Sequence, residues 1–413
     1  MNRRIQAPRG TYDVLGEQAL ARDALERHAR TILERAGYER IETPAFEATE
    51  LFARGVGEST DVVQKEMYTL EGGDSESITL RPEGTAPVCR AYMEHGMHKR
   101  PQPVKLWYFG AYFRRERPQK GRFRQFWQIG AEAIGSDDPA VDAETILLLA
   151  EILEAAGVRA RLRISSLGMP LNRLRYRDKL QAYLRDNASR LSEDVVARIE
   201  LNPLRAFDSD HPGTRAVMAH APRLLDELDR EDSEHFAEVL GLLDAAALPY
   251  DVDTALVRGL DYYTRTVFEY TSADLGAQSG VGGGGRYDGL IEQLGGPPTP
   301  GMGWAAGVER ILLAGSLVHA AAAPLDLFIA YEKPAQREAA FRLTADARRA
   351  GHAARLELGG RSLKGQLRQA DRAGARYVAI LGDEGTSLKD METGEQRAVE
   401  AGTVLHHITQ VRL

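Results

Sequence analysis

Residues Tyr108–Glu132 read YFGAYFRRERPQKGRFRQFWQIGAE, and they decide how the chain is laid out. Apolar and polar residues nearly alternate over 106–115 and again over 123–130, the two-residue period of half-buried strands. Between them, Glu116-Arg117-Pro118-Gln119-Lys120-Gly121-Arg122 carries the Pro and Gly of a long hairpin loop. From Lys99 to Arg124 there are nine Lys/Arg and one Glu, a local charge of 9 − 1 = +8. Arginine forks grip phosphate oxygens in pairs, so a basic loop on a rigid hairpin suits a polyphosphate. A charge run alone fits a solvated surface equally well.

Around this hairpin the chain is acidic, 53 − 60 = −7, which argues against indiscriminate coating of nucleic acid while leaving room for local basic patches. At 413 residues it has material for two or three domains. The single cysteine, Cys89, rules out an internal disulfide framework and any multi-cysteine metal site. No apolar run has the length of a membrane span, and MNRRIQAPRG has no apolar signal region behind its arginines, so a cytoplasmic protein is expected.

Upstream, 17–36 has the apolar spacing of an amphipathic helix, with Gly37 as its stop, and Pro44 marks 38–46 as an edge or interface strand. Segments 62–70 and 77–80 flank the turn-rich Glu71-Gly72-Gly73-Asp74 as a hairpin. Thr85 is placed to cap a helix over 88–95, with Pro87 in its first turn. Downstream, a helix over 139–156 and a strand over 158–165 precede the span 168–248. That span is rich in Arg, Asp, Leu and Ala and broken by prolines, and reads as a helical insertion. Strand-like residues return at 252–270, followed by Gly280–Gly285, a helix over 288–294, and a glycine-rich stretch that turns helical over 301–316. After an Ala-rich linker, strands near 325–331, 353–358 and 376–381 alternate with helices near 335–350 and 363–374. A hairpin turn at Thr393-Gly394 and a last helix near Ala401 complete a small α/β domain. The layout is a core in two parts, 1–167 and 249–317, an insertion at 168–248, a linker at 318–324 and a terminal domain at 325–413.

Gly280-Val281-Gly282-Gly283-Gly284-Gly285 fits G-x-G-x-x-G, but no βαβ series or ribose-binding acid accompanies it. Close backbone approach to a substrate, or a tight turn, explains it better. The pairs His95/His98 and His406/His407 lack the further ligands of a zinc site, so no metal held by protein side chains alone is expected. Three stretches instead share one chemistry: Arg114, Glu116, Arg122 and Arg124; Val257 to Thr266, VRGLDYYTRT; and Gly303 to Arg310, GWAAGVER. Each sets arginine among small or aromatic residues.

Together they resemble the class II aminoacyl-tRNA synthetases, and Leu80–Thr85 (LRPEGT), Glu116–Arg122, Arg258–Tyr263 (RGLDYY) and Gly285–Gly289 (GRYDG) resemble the histidyl-tRNA synthetase family in particular. The resemblance implies an α+β catalytic domain on an antiparallel sheet, with a helical insertion and a C-terminal α/β anticodon-binding domain. It implies that L-histidine is activated with ATP to histidyl-adenylate and pyrophosphate, then passed to the 3′ end of tRNA(His), with Mg²⁺ on the ATP. Arg114 is expected at the α-phosphate, and Arg310, Arg122 and Glu116 at the rest of ATP. Glu83, Gly84, Thr85 and Gln128 would meet the amino group of histidine. Glu132 and Tyr263 would bracket the imidazole, between Tyr262 and Tyr287. Arg258 would bridge the histidine carboxylate and the α-phosphate, and Arg258 and Arg114 are the expected catalytic groups. Arg9 and Gln119 would meet the tRNA acceptor end, and the family implies a homodimer built around Glu39 to Leu51. Trp127 stands where many relatives carry His. Two other readings share the resemblance: a silent regulatory paralogue of a phosphoribosyltransferase, and a tRNA-sensing module.

Overall fold

The computed structural model describes residues 4–57, 60, 62–71, 77–119, 121–254, 256, 260, 262–276, 279–317 and 325–410. The chain forms two compact units, Met1–Val318 and His319–Leu413. In chain order the strands of the first unit are β1 (Glu39–Arg40), β2 (Phe46–Ala48), β3 (Tyr68–Glu71), β4 (Ser77–Leu80), β5 (Val104–Phe113), β6 (Gln125–Ile134), β7 (Arg161–Ser166), β8 (Tyr250–Val252), β9 (Thr264–Thr271), β10 (Gly280–Arg286) and β11 (Gly301–Gly307).

One sheet dominates this unit, in the order β1-β5-β6-β11-β10-β9-β7-β8. Its interior pairs are antiparallel and only the outer pairs, β1 with β5 and β7 with β8, are parallel. The alternation that marks the opening hairpin produces the longest ladder: β5 pairs with β6 from Val104↔Ile134 to Phe113↔Gln125. One face of the sheet is closed by helices Glu17–Arg35 and Pro139–Ala155, which bury Leu25, Leu33, Ile146, Leu149 and Ile152 against Trp107, Ile129 and Trp304. The other face carries the aromatic cluster Tyr108, Tyr112, Tyr262, Tyr263 and Tyr287, under helix Thr85–Glu94. The expected α+β core is thus present, and its sheet is mixed rather than wholly antiparallel at its rims.

Several local expectations are corrected. Val62–Glu66 is a single π-helical turn, so only Tyr68–Glu71 pairs with β4. Gly72, Gly73 and Asp74 lie outside the described residues. Thr85 does not cap its helix: it is the first helical residue, and the free amides of Thr85 and Ala86 donate to the Glu83 carboxylate at 2.7 and 3.0 Å. Gly280–Gly285 is neither turn nor loop but strand β10, pressed so closely between β9 and β11 that an added Cβ at Gly284 would overlap the Gly303 carbonyl. Within 168–248, helix Pro170–Asp186 and shorter helical pieces build a separate small core around Leu180, Leu184 and Val217. The returning helix Arg230–Ala245 instead packs Phe236, Val239 and Leu243 into the main core.

The second unit is a five-stranded sheet, β12 (Leu325–Tyr331), β13 (Ala354–Leu356), β14 (Ala375–Gly382), β15 (Gly385–Asp390) and β16 (Gln396–Val399), ordered β13-β12-β14-β15-β16. The fully buried run of β12, LDLFIAY, is what a central parallel strand requires, and β12 indeed lies parallel to both neighbours. Helices Arg337–Arg349 and Leu363–Arg372 bury Ala340, Ala347 and Ala370 against it.

Candidate active site

A cavity of about 360 Å³ opens over the middle of the large sheet. Its lining divides by chemistry. One end offers Arg114, Glu116, Arg122 and Arg310; the other offers Glu83, Thr85, Gln128, Tyr262 and Tyr263, with glycines of β10 along the wall.

At the basic end, Arg114 follows the last residue of β5 and donates from Nε to the Pro82 carbonyl at 2.9 Å, with its guanidinium 5.4 Å from the centre of the Phe126 ring. Glu116 sits between two arginines, 3.7 Å from Arg114 and 3.3 Å from Arg122. Arg310 is the third residue of helix Val308–Ala314, which follows β11, and donates to the Gly280 carbonyl at 2.5 Å. Burial, and then repulsion from Arg122, push the Arg310 guanidinium below its ordinary pKa. Cations held together against their own repulsion gain most from an anionic ligand. The loop tip is a narrow turn, Gln119 and Arg122 exchanging backbone bonds at 3.1 and 2.9 Å, with Gly121 at φ +75°. Lys120 lies outside the described residues. The N-terminal segment runs alongside: the Arg124 amide donates to the Gly10 carbonyl at 2.8 Å and its guanidinium to the Arg9 carbonyl at 3.3 Å.

At the other end, Glu132 is completely buried and collects three hydroxyls: Thr85 at 2.9 Å and Tyr108 at 3.2 Å on Oε1, and Tyr287 at 2.6 Å on Oε2. Burial outweighs these donors and raises its carboxyl to about 8. Glycines make the room. A Cβ at Gly130 or Gly84 would run into the Tyr108 ring, and one at Gly303 into the Glu132 carboxylate. Gln128, four residues before Glu132 on the same face of β6, keeps a buried Oε1 with no partner at the cavity wall. Trp127 points to the opposite face, in a tilted contact with Phe109, its ring centre 5.4 Å away, and under Arg22. Glu83 is raised by burial and held down by the two helix amides and Arg114. Behind the basic end, Glu309 accepts the Trp127 amide at 3.1 Å, the Tyr12 hydroxyl at 3.0 Å and Arg22 at 3.2 Å, fixing the helix that carries Arg310.

The model of the histidyl-tRNA synthetase family matches residues 10–311. Over 410 residues the chain is 48% identical to a histidine–tRNA ligase of Rubrobacter xylanophilus, covering 96% of each. It is likewise 48% identical over 414 residues to one of Nocardia farcinica, covering 97% of each. The chain belongs to the histidyl-tRNA synthetase family. The crystal structure of apo S. aureus histidyl-tRNA synthetase superposes with a TM-score of 0.81 at 35% identity, covering 98% of this chain and all of that one.

The histidyl-tRNA synthetase signatures are unevenly placed. Glu83, Gly84, Thr85, Arg114, Glu116, Arg122, Gln128, Tyr262, Tyr263 and Arg310 meet in one cavity. Glu132 and Tyr287 stand one layer beneath it, joined to it through Thr85. Arg258, with Val257, Gly259 and Asp261 of its motif, lies outside the described residues. Arg81 of the LRPEGT signature does not face the cavity; it donates to the carbonyls of Thr43 and Ala111 at 2.6 and 2.9 Å, tying three segments together. Tyr108 and Glu269 were given no role by the sequence, and Glu309 entered only as part of GWAAGVER. For Tyr108 the signal was the pair Gly84 and Gly130, which make sense only if a large ring fills the space above them.

Proposed function

We infer that this protein is a histidine–tRNA ligase, and we assign its cavity to both steps of the reaction. The observation that carries the assignment is the division of one cavity into an arginine end and a carboxylate-and-hydroxyl end. ATP phosphates belong at Arg114, Arg122 and Arg310; histidine belongs at Glu83, Thr85, Gln128 and the tyrosines. The substrate's own carboxylate is the nucleophile. It attacks the α-phosphorus, an oxygen–phosphorus bond forms as the bond to the departing pyrophosphate breaks, and the arginines neutralise the charge that develops. No protein nucleophile is required. Arg258 is assigned to the histidine carboxylate and α-phosphate by its place in the family motif.

Histidine is selected by complementary polarity. The buried Gln128 carbonyl can accept from the ammonium group, and Tyr263 and Glu132 each answer one imidazole nitrogen, Glu132 after exchanging a hydroxyl for the ring N–H. A site with such buried polar groups rejects isosteres that leave them unpaired. Mg²⁺ would enter with the nucleotide: among the described residues no three acidic or histidine side chains cluster as a metal site, so the ion would rest chiefly on the phosphates, with Glu116 and Glu269 at the cavity wall. It would offset charge on the departing pyrophosphate.

Arg9 and the 116–122 loop lie side by side, which supports their assignment to the tRNA acceptor end. The His319–Leu413 unit is assigned to the anticodon, whose unpaired bases can be stacked and read at their edges. The exposed Phe46 and Leu70 on the small β2-β4-β3 sheet support assembly as a homodimer through the 39–51 region. Among the described residues no helix is long and apolar enough to cross a membrane.

The test is histidine-dependent exchange of pyrophosphate into ATP, followed by charging of tRNA(His). Both should be supported by Mg²⁺ and abolished by chelation. Folded protein that binds histidine but exchanges no pyrophosphate would overturn the assignment.

A further inference from the structure

Arg265 is one of only two non-glycine residues with positive φ among those described, at +40°. It is the second residue of β9, after Tyr262, Tyr263 and Thr264, where the ladder to β10 slips: Gly285 faces Val267, but Arg286 faces Thr264. A bulge with a left-handed residue costs about 1–3 kcal/mol and persists only where its surroundings over-determine it. Here the surroundings belong to the helical segment.

The backbone of Arg265 bonds the chain on its way into that segment, its amide donating to Gly168 O at 3.0 Å and its carbonyl accepting from Leu167 at 2.7 Å. Its side chain reaches the helix by which the chain returns, Nε donating to Asp232 at 2.8 Å and Nη2 to Glu231. Asp232, 1% exposed, uses its other oxygen on the outgoing strand of chain, accepting from the Met169 amide at 2.7 Å and Asn172 Nδ2 at 2.6 Å. Arg265 thus ties the strand after the tyrosine pair to the entry through its backbone and to the return helix through its side chain, with Asp232 closing the link between entry and return. Two residues before it, Tyr263 packs at the cavity wall, where a Cβ at Gly285 would lie 3.0 Å from its ring.

We propose that Arg265 is a positioning residue for histidine: by clamping the bulge to Asp232 and Glu231 it sets where Tyr262 and Tyr263 stand, and so couples the seating of the helical segment to histidine affinity. This rests on the assignment of the two tyrosines to the histidine end of the cavity. Without the guanidinium the bulge can relax toward ordinary extended backbone, and Asp232 is left buried without its charge partner. The tyrosines shift, while the arginine end, on β5 and the helix after β11, does not.

The experiment is pyrophosphate exchange with histidine and ATP varied in turn, rates normalised by titration of active sites, on R265A, R265K, E231A and Y263F. R265A should raise the histidine KM by about tenfold or more, leaving the ATP KM within about twofold. R265K should not rescue it, because one ammonium cannot reproduce a guanidinium bridging two carboxylates. E231A, which removes only an exposed partner and so preserves the fold, should raise the histidine KM by about twofold. If R265A raised both KM values alike, or lowered only the fraction of active sites, Arg265 would be scaffold and the proposal would fall. If R265A could not be purified, an unchanged histidine KM in E231A would overturn it instead. Y263F separates the two layers: an unchanged histidine KM there sinks the tyrosine assignment itself, whereas a raised one beside an unaffected R265A sinks only the clamp.

Discussion

Glu132 is a carboxylate held where water cannot reach it, and replacing it with glutamine tests what that placement costs. Its carboxyl stands at about 8 in the folded protein against 4.5 for the unperturbed group. The difference, 8 − 4.5 = 3.5 pH units, is a linkage of about 5 kcal/mol at full extent. The sign follows from which state binds the proton. The folded protein holds it up to about pH 8 and the unfolded chain releases it above 4.5, so the stabilising contribution is complete below 4.5 and is lost as pH rises toward 8. Between about pH 5.5 and about pH 8.5 the loss amounts to roughly 3 kcal/mol. E132Q cannot ionise. It keeps an acceptor for the hydroxyls and should gain on the wild type by that amount across the window, roughly 5 °C or more in melting temperature for a unit of this size.

The readout is thermal unfolding of both proteins at the two pH values. Glu83, Asp288 and Glu309 are also raised by burial, but they titrate in both proteins, so the difference between the two reports Glu132 together with its charge coupling to Glu83. In the same preparation the histidine KM should rise, because the amide offers one acceptor and an unwanted donor to the imidazole. A more stable protein at alkaline pH and a poorer ligase is the expected pair, a direct case of stability yielded to function. A wild-type-minus-E132Q difference that stays flat with pH would refute the burial argument, whatever happened to the kinetics.

Gln128→Leu should leave thermal stability unchanged or slightly higher, since it removes a buried carbonyl with no partner, yet raise the histidine KM by about tenfold; loss of stability instead would mean the amide already has a structural role. Arg114→Ala should lower the exchange rate by about 10²- to 10³-fold with the fold intact by circular dichroism, the scale of one removed charge-stabilising donor. Gly130→Ala should displace the Tyr108 ring from the Glu132 carboxylate, lowering unfolding stability by about 1–3 kcal/mol and raising the histidine KM; a neutral result would show that the floor of the cavity has slack. Arg258→Ala should abolish most exchange while histidine binding remains measurable by calorimetry.

What the sequence could carry was whatever depends on near neighbours. The hairpin was legible because alternation and its Pro/Gly loop lie within one stretch, and its chemistry is placed by a fixed register, with Gln128 on β6 opposite Gly110 and Arg114 just past the end of β5. The terminal α/β unit was legible for the same reason, each strand and helix announcing itself over ten residues or so. What stayed hidden depends on distant parts of the chain. The hydroxyls on Glu132 come from 47, 24 and 155 residues away, and no local pattern pairs them. Gly280–Gly285 read as close backbone approach or a tight turn, and neither reading reveals the strand, because its glycines answer the crowding of Ala306, Gly303 and Thr266 on neighbouring strands far along the chain.

The same distinction, under the proposed assignment, makes one half of the site tolerant of displacement and the other half not. The arginine end is assembled from short-range features: a strand end, a hairpin loop, a helix start. Each can move a little and still present a charge to a phosphate, because Coulomb attraction falls off slowly with distance. The histidine end depends on hydroxyls and amides that must meet within hydrogen-bond range, on glycines that admit one ring and no methyl, and on tyrosines hung from a bulge that a separate helical segment holds in place. Under the proposed assignment, selectivity for one amino acid would rest on the part of the molecule with the least positional slack, and substitutions far from the cavity should be felt first in histidine affinity and only later in the handling of ATP.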